Sequence, residues 1–238
     1  IVMALDVSSS MLARDLKPNR LEAAKAVSKD FISKRPNDRV GLVIFSGEAF
    51  TQVPLTTDHQ MIYSLFSEIK SGIIEDGTAI GDGLATSVSR LKDSQAISKV
   101  IILLTDGVNN SGSLDPRSAA ELAKLYGIRV YTIGVGTQGY APYPMQTPFG
   151  VQMQNVEVQI DEELLKQIAE KTGGQYFRAQ DNTSLKAIYN EIDQLEKSKI
   201  DIQEFKKKHE RFMPFALWAL GLFVLEVLLK FMVFRKFP

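Results

Sequence analysis

No cysteine occurs anywhere in the 238 residues. That absence removes thiolate zinc sites, disulfides and thiol catalysis together, and it leaves the redox compartment open. Histidine is almost as scarce: His59 and His209 lie far apart, and neither has a HExxH-like neighbourhood, so both are expected to be structural or surface residues. With no usable histidine near a GxSxG-type elbow, a Ser-His-Asp hydrolase has no base. Net charge is also lacking, since 28 Lys+Arg balance 28 Asp+Glu. No basic field therefore exists to hold nucleic acid, which is not an expected partner. The glycine-rich loop with Gly77, Gly81 and Gly83 lacks both GxGxxG and the Walker lysine, so tight-turn geometry is expected there rather than a phosphate cradle.

What is present is a core-forming composition, 45% hydrophobic and 24% charged, enough for one sizeable domain plus an appendage. Ile1 already lies within an apolar run, from which upstream sequence is expected to be missing. Four runs read as buried parallel strands: "IVMAL" at 1 to 5, "VGLVIF" at 40 to 45, "VIILL" at 100 to 104 and "IRVYTIG" at 128 to 134. Between them lie apolar stripes at helical spacing: Leu21, Ala24, Val27 and Phe31; Ile80, Leu84, Val88 and Leu91; Leu122, Leu125 and Tyr126. This alternation predicts an α/β fold, a Rossmann-like, doubly wound, mostly parallel sheet. After a Pro-rich loop, "YAPYPMQTPFG", the stretch "VQMQNVEVQID" suggests a small hairpin. "DEELLKQIAEKTGG" reads as a helix with a glycine C-cap, "QYFRA" as a strand, and 181 to 197 as a helix with Leu185, Ile188, Ile192 and Leu195 on one face.

The domain is therefore expected over 1–197 and a basic connector, extended at first, over 198–211. Residues 212–234 are expected to form a transmembrane helix, since at ~1.5 Å per residue they can cross a ~30 Å hydrocarbon core. Glu226 and Lys230, four apart near its end, can pair or snorkel.

Ligands of open parallel sheets bind beyond the carboxyl ends of the strands. Two of the four strands end there in an aspartate: "LDVSSS" carries Asp6, Ser8 and Ser10, and "LLTDGVNNSG" carries Asp106. The loop "EDGTAIGDGL" offers Thr78 from the same edge. Asp6 with serines behind it also fits a helix or turn cap, but with Thr78 and Asp106 added the set becomes one of hard oxygen donors. Such donors suit Mg²⁺, Mn²⁺ or Ca²⁺. Two carboxylates with neutral hydroxyls leave the ion electrophilic toward a further anionic oxygen, such as a carboxylate from another molecule.

In their order and separation, Asp6-x-Ser8-x-Ser10, Thr78 in "DGTAIGDGL" and Asp106 in "TDG" resemble the metal-ion-dependent adhesion site of von Willebrand factor A domains. The resemblance covers roughly residues 1–197. It implies Ser8, Ser10 and Thr78 as metal ligands, with Asp6 and Asp106 ligating directly or through water. "DGTAIGDGLATSVSRLK", "TPFG", "EVQIDEELLKQIAEKTGGQYFRA" and the C-terminal apolar segment are similar to the bacterial BatA-type aerotolerance proteins. That likeness implies a non-enzymatic interaction domain anchored in the bacterial inner membrane, with a MoxR-type AAA+ ATPase and other Bat-type membrane proteins as partners.

The other class of function is a magnesium-dependent phosphatase or phosphotransferase using Asp6 as nucleophile. Against it, Ser8 rather than a carboxylic acid follows two residues on, and no positioned lysine is identifiable. Ser9 is expected to be structural; Asp76 and Asp82 fit either caps or supports of the site. "KKKHER" fits either a lipid-headgroup contact or a solvated stretch, and Tyr140, Tyr143 and Phe149 either a partner surface or internal packing. Membrane orientation is pulled two ways. Lys206, Lys207, Lys208 and Arg211 against Arg235 and Lys236 favour a cytoplasmic domain, whereas the family resemblance implies a periplasmic one, which is the expectation adopted.

Overall fold

A computed structural model describes residues 1–148, 150–207 and 212–232, with side-chain surroundings for 1–148, 150–197 and 214–230. Phe149, His209 and the basic residues Lys208, Arg211, Arg235 and Lys236 lie outside the described residues. The chain divides into two compact units, Ile1–Glu196 and Lys197–Pro238.

In the first unit a six-stranded sheet has the order β3-β2-β1-β4-β5-β8, built from β1 (Val2–Asp6), β2 (Val40–Phe45), β3 (Ala49–Thr56), β4 (Val100–Thr105), β5 (Arg129–Val135) and β8 (Tyr176–Ala179). All neighbours pair in parallel except β2 with β3, which is antiparallel. The four apolar runs become the central strands because both faces of each are covered. Met3, Leu5, Leu42, Ile44, Ile102, Leu104, Tyr131 and Ile133 point into one core, Val2, Ala4, Val43, Ile101, Leu103 and Val130 into the other, as the two-residue period of a strand requires. The first core is closed by α1 (Arg20–Ser33), α2 (His59–Glu68) and α6 (Asn182–Lys207), the second by α3 (Ile80–Leu91), α4 (Pro116–Leu125) and α5 (Glu162–Thr172). The expected α/β architecture with a mostly parallel sheet is what the structure shows.

Local sequence explains the boundaries. Asn19, Asp58, Asp115 and Asp161 cap α1, α2, α4 and α5 by accepting a backbone N–H three residues on. Gly173 ends α5 at φ 73°, the left-handed cap expected there.

Five departures from the sequence reading have physical causes. The edge strand β3 carries Pro54 and is half exposed, so it has neither a continuous apolar run nor clean alternation. Helix α2 follows it with only Ile62 and Phe66 buried. In α4 the buried face is Ala119, Ala120 and Ala123, whereas Leu122, Leu125 and Tyr126 are exposed; close packing of α4 on its neighbours selects small side chains over the larger stripe. The Pro-rich "loop" is itself a strand, β6 (Tyr140–Thr147), paired antiparallel with β7 (Gly150–Glu157). Pro142 is tolerated because its carbonyl accepts from Arg14 N at 2.8 Å, so this position faces away from β7 and no ladder donor is lost; Pro144, two residues on, faces the same way. Lastly, 200–207 continue α6 as helix instead of forming an extended connector.

In the second unit α7 (Phe212–Met232) presents exposed apolar side chains, among them Phe215, Trp218, Leu222 and Phe223. Among the described residues no helix is long and apolar enough to cross a membrane. The expected span over 212–234 is therefore not shown.

Candidate metal centre

The sheet order reverses between β1 and β4, and the strands on either side end at Asp6 and Thr105, so the aspartates fall at the switch point of the fold. Asp6 is fully buried. Its Oδ1 accepts Ser8 N at 2.9 Å, which bends the chain after β1, and its Oδ2 accepts Thr105 Oγ1 at 2.6 Å, which ties β1 to β4. The bend leads into a short 3-10 turn, Ser9–Leu12. There Ser8 Oγ and Ser10 Oγ lie 2.9 Å apart, and Ser10 Oγ donates to Asp106 Oδ1 at 2.6 Å.

Thr78 arrives from the loop before α3 and is 4% exposed. Asn110 clamps it: Thr78 N donates to Asn110 Oδ1 at 2.8 Å, and Asn110 N donates to Thr78 O at 3.1 Å. Its hydroxyl rests against Gly107, where a Cβ would stand 3.1 Å from Thr78 Oγ1. Thr78, Ser10, Asp106 and Gly107 line one cavity of about 510 Å³. The structure thus joins Asp6, Ser8, Ser10 and Asp106 in one hydrogen-bonded chain and brings Thr78 to the same cavity.

Asp15 and Arg20 belong to this site and were not singled out in the sequence. Arg20 is 3% exposed; its Nη1 donates to Asp106 Oδ2 at 2.7 Å, while Nε and Nη2 donate to Asp15 at 2.8 and 2.6 Å. A signal existed: Arg20 is the first residue of α1, and a cation at the positive end of a helix dipole is unfavourable without carboxylates to hold it. Thr105 and Asn110 were also passed over.

Asp76 and Asp82 act as braces. Asp76 accepts both Ser9 N at 2.9 Å and Ser9 Oγ at 2.6 Å, fastening the Ser8–Ser10 turn to the Thr78 loop. Asp82 accepts Ser113 N and Leu114 N, holding the chain after Asp106. Only Gly77 fits the tight-turn expectation, with φ +142°. Gly81 and Gly83 lie in α3, where a Cβ would press on Leu114 O at 1.8 Å and on the Phe45 ring at 2.7 Å.

Burial, and next to it the charge of Asp106, push the Asp6 carboxyl up to about 7. Burial raises Asp106 as well, despite Arg20. Asp15 moves the other way: burial is outweighed by the hydrogen bonds of Arg20 and Thr137, which hold it below the usual carboxylate range. Two buried carboxylates side by side resist ionising together, and Arg20 is the cation that already faces Asp106. Both oxygens of Asp6 are already engaged and the group is shielded from solvent, an arrangement that does not suit a phosphoryl-accepting nucleophile. Among the described residues no three His, Cys, Asp or Glu side chains gather as a metal cluster, so any cation here depends on the hydroxyls. His59 is structural: its Nε2 lies 3.0 Å from Asp38 O.

Residues 1–191 match the family model described as the von Willebrand factor type A domain. Among solved structures, the conserved hypothetical protein BatB from Bacteroides thetaiotaomicron is 33% identical with a TM-score of 0.71, covering 82% of this chain and 98% of that one. An aerotolerance-related membrane protein from Bacteroides fragilis is 30% identical with a TM-score of 0.69, covering 81% and 96%. Proximal thread matrix protein 1 from the mussel byssus, solved with zinc in its MIDAS motif, is 25% identical with a TM-score of 0.61, covering 82% and 44%. The chain spans about 58 to 62% of the length of the curated relatives it matches.

Proposed function

The chain belongs to the von Willebrand factor type A domain family, and from that premise we propose that it is a divalent-metal-dependent interaction domain whose ion is completed by an Asp or Glu of a partner protein. The observation that carries this reading is the spacing of the oxygens. Octahedral Mg²⁺ holds its ligands at about 2.1 Å, which puts neighbouring ligands about 3.0 Å apart; Ser8 Oγ and Ser10 Oγ, 2.9 Å apart, come close to that edge, while Asp106 Oδ1, hydrogen-bonded to Ser10 Oγ at 2.6 Å, would move outward a few tenths of an ångström on ligation. Ser8, Ser10 and Thr78 would hold the ion without adding charge, and Asp6 and Asp106 would balance it directly or through water. When bound, the ion supplies an electrophilic coordination position. Arg20 keeps that position open to an anion, since it neutralises Asp106 Oδ2 and leaves the site short of negative charge.

The metal reading is supported by the zinc-occupied motif of the mussel protein; Mg²⁺, or Mn²⁺ or Ca²⁺, is the proposed ion here because the donors are all hard oxygens. The likeness to an aerotolerance-related membrane protein supports a membrane-associated role linked to aerotolerance; the further proposal, which rests on the Bat-type resemblance of the sequence alone, is a MoxR- and Bat-type envelope complex of the bacterial inner membrane with the A domain on the periplasmic side. The exposed apolar side chains of α7 would anchor the chain there, with 212–234 as the spanning segment.

The test is capture of partners from native membranes by the full chain, with Mg²⁺, with Mn²⁺ and with EDTA, comparing wild type with Asp6→Ala and Thr78→Ala. Partners that depend on both the metal and these side chains are expected; a captured set indifferent to both contradicts the reading.

A further inference from the structure

The cavity beside the oxygen cluster has two unlike walls. One is polar, with Ser10, Thr78, Asp106 and Asn110; the other comes from the β6–β7 hairpin. One face of that hairpin forms most of this wall, with Glu157, Val158 and Gln159 at and just after the end of β7 completing it. The pairs Ala141↔Val156, Tyr143↔Gln154 and Met145↔Gln152 put directly opposed side chains on a common face, and Ala141, Tyr143, Met145 and Val156 all line the cavity. Met145 and Val156 are 39% and 44% exposed, so this apolar wall stands open.

The base of the hairpin is fixed to the metal-site loops. Arg14 N donates to Pro142 O at 2.8 Å, and Thr137 N donates to Asp15 Oδ2 at 2.9 Å. Asp15 is the carboxylate that also holds Arg20, and Arg20 holds Asp106. One ion-pair chain thus positions both walls.

We propose that the hairpin face is the specificity half of the binding site, and that the groove takes an extended protein segment carrying one Asp or Glu immediately next to a large aliphatic or aromatic residue. The inference rests on the preceding reading, in which the carboxylate completes the metal. In an extended segment successive side chains point to opposite sides, so the neighbour of a residue on the polar wall faces the apolar one. The described hairpin residues that line the groove include Ala141, Tyr143, Met145 and Val156 and no cationic side chain, so a second carboxylate on that side would find no partner, which selects an apolar neighbour over a polyacidic run.

The test uses a random dodecapeptide phage library selected on the full chain in detergent micelles with Mg²⁺ and eluted with EDTA. Eluted sequences should be enriched in Asp or Glu adjacent to Leu, Ile, Met or Phe. The synthetic consensus peptide should bind the double variant Tyr143→Ser, Met145→Ser about tenfold more weakly or worse, with Mg²⁺ affinity and circular dichroism unchanged. Acidic sequences without an apolar neighbour, consensus binding indifferent to the double substitution, or no enrichment each overturn the groove proposal. Of these, metal-dependent binding through the carboxylate alone leaves the metal reading standing. Phage left bound after EDTA are then eluted at low pH; if the selected peptides are found only there, apolar and without a carboxylate, they overturn the metal reading instead.

Discussion

Arg20 and Asp106 are 86 positions apart in the chain and meet as a buried pair, Nη1 to Oδ2 at 2.7 Å. The pair links the start of α1 to the end of β4, and it makes a helix-initial cation part of an oxygen site. Breaking a buried ion pair by removing one partner leaves the other charge stranded, at a cost of about 3 to 5 kcal/mol. Arg20→Met strands two carboxylates, Asp106 and Asp15, and should therefore lower stability by at least the smaller figure. Urea unfolding of the full chain measures it; a loss within error of zero would show that the pair holds nothing.

Asp76→Ala removes both bonds to Ser9, a partly exposed brace worth about 1 kcal/mol. The larger effect should be on the metal, because the Ser8–Ser10 turn loses its tie to the Thr78 loop. Supports of this kind typically alter metal affinity by about 10 to 100-fold, so calorimetric Mg²⁺ titration should show a clear weakening with little change in melting temperature.

The opening of the site was legible in the sequence because strand ends are legible. Asp6 and Asp106 each follow a continuous apolar run, and Thr78 sits in a glycine-punctuated loop. What escaped were residues whose role depends on contacts between distant segments. Asp15 and Asn110 sit in ordinary loop contexts and Arg20 carries only the weak signal of a cation at a helix start; only the folded sheet brings them to Asp106 and Thr78. β6 escaped because its prolines read as loop; a two-stranded ribbon accepts proline wherever the missing N–H faces outward. The alanine face of α4 escaped because size, not hydrophobicity, decides which side of a close-packed helix is buried.

Gly81 shows the same size constraint from α3. A Cβ there would stand 1.8 Å from Leu114 O, a backbone atom that cannot swing aside. Gly81→Ala should destabilise by about 1 to 3 kcal/mol or more, as overpacking does. It should do so despite the better helix propensity of alanine, and thermal unfolding gives the sign.

Glu196 on α6 gives a pH dependence. Burial pulls its carboxyl upward, but hydrogen bonds from Arg129, Tyr131 and Ser98 outweigh this and hold it below the ordinary 4.5. A native value below the unfolded one means stability that is fully present above pH 4.5 and lost as the pH falls through the native value. Glu196→Gln should cost roughly 2 kcal/mol near neutrality, and the gap to wild type should close on acidification below about pH 4.5. Denaturant titrations at pH 7, 4 and 3 test this; a gap that widens in acid would reverse the assignment.

The central claim is that Asp6, Ser8, Ser10, Thr78 and Asp106 hold one divalent cation. Its most direct test is Mn²⁺ binding to the full chain, followed by electron paramagnetic resonance. Wild type should bind a single Mn²⁺ that Mg²⁺ displaces, and Asp6→Ala and Thr78→Ala, each shown folded by near-ultraviolet circular dichroism, should bind it about tenfold more weakly or not at all. Equal Mn²⁺ binding by wild type and both folded variants would contradict the account.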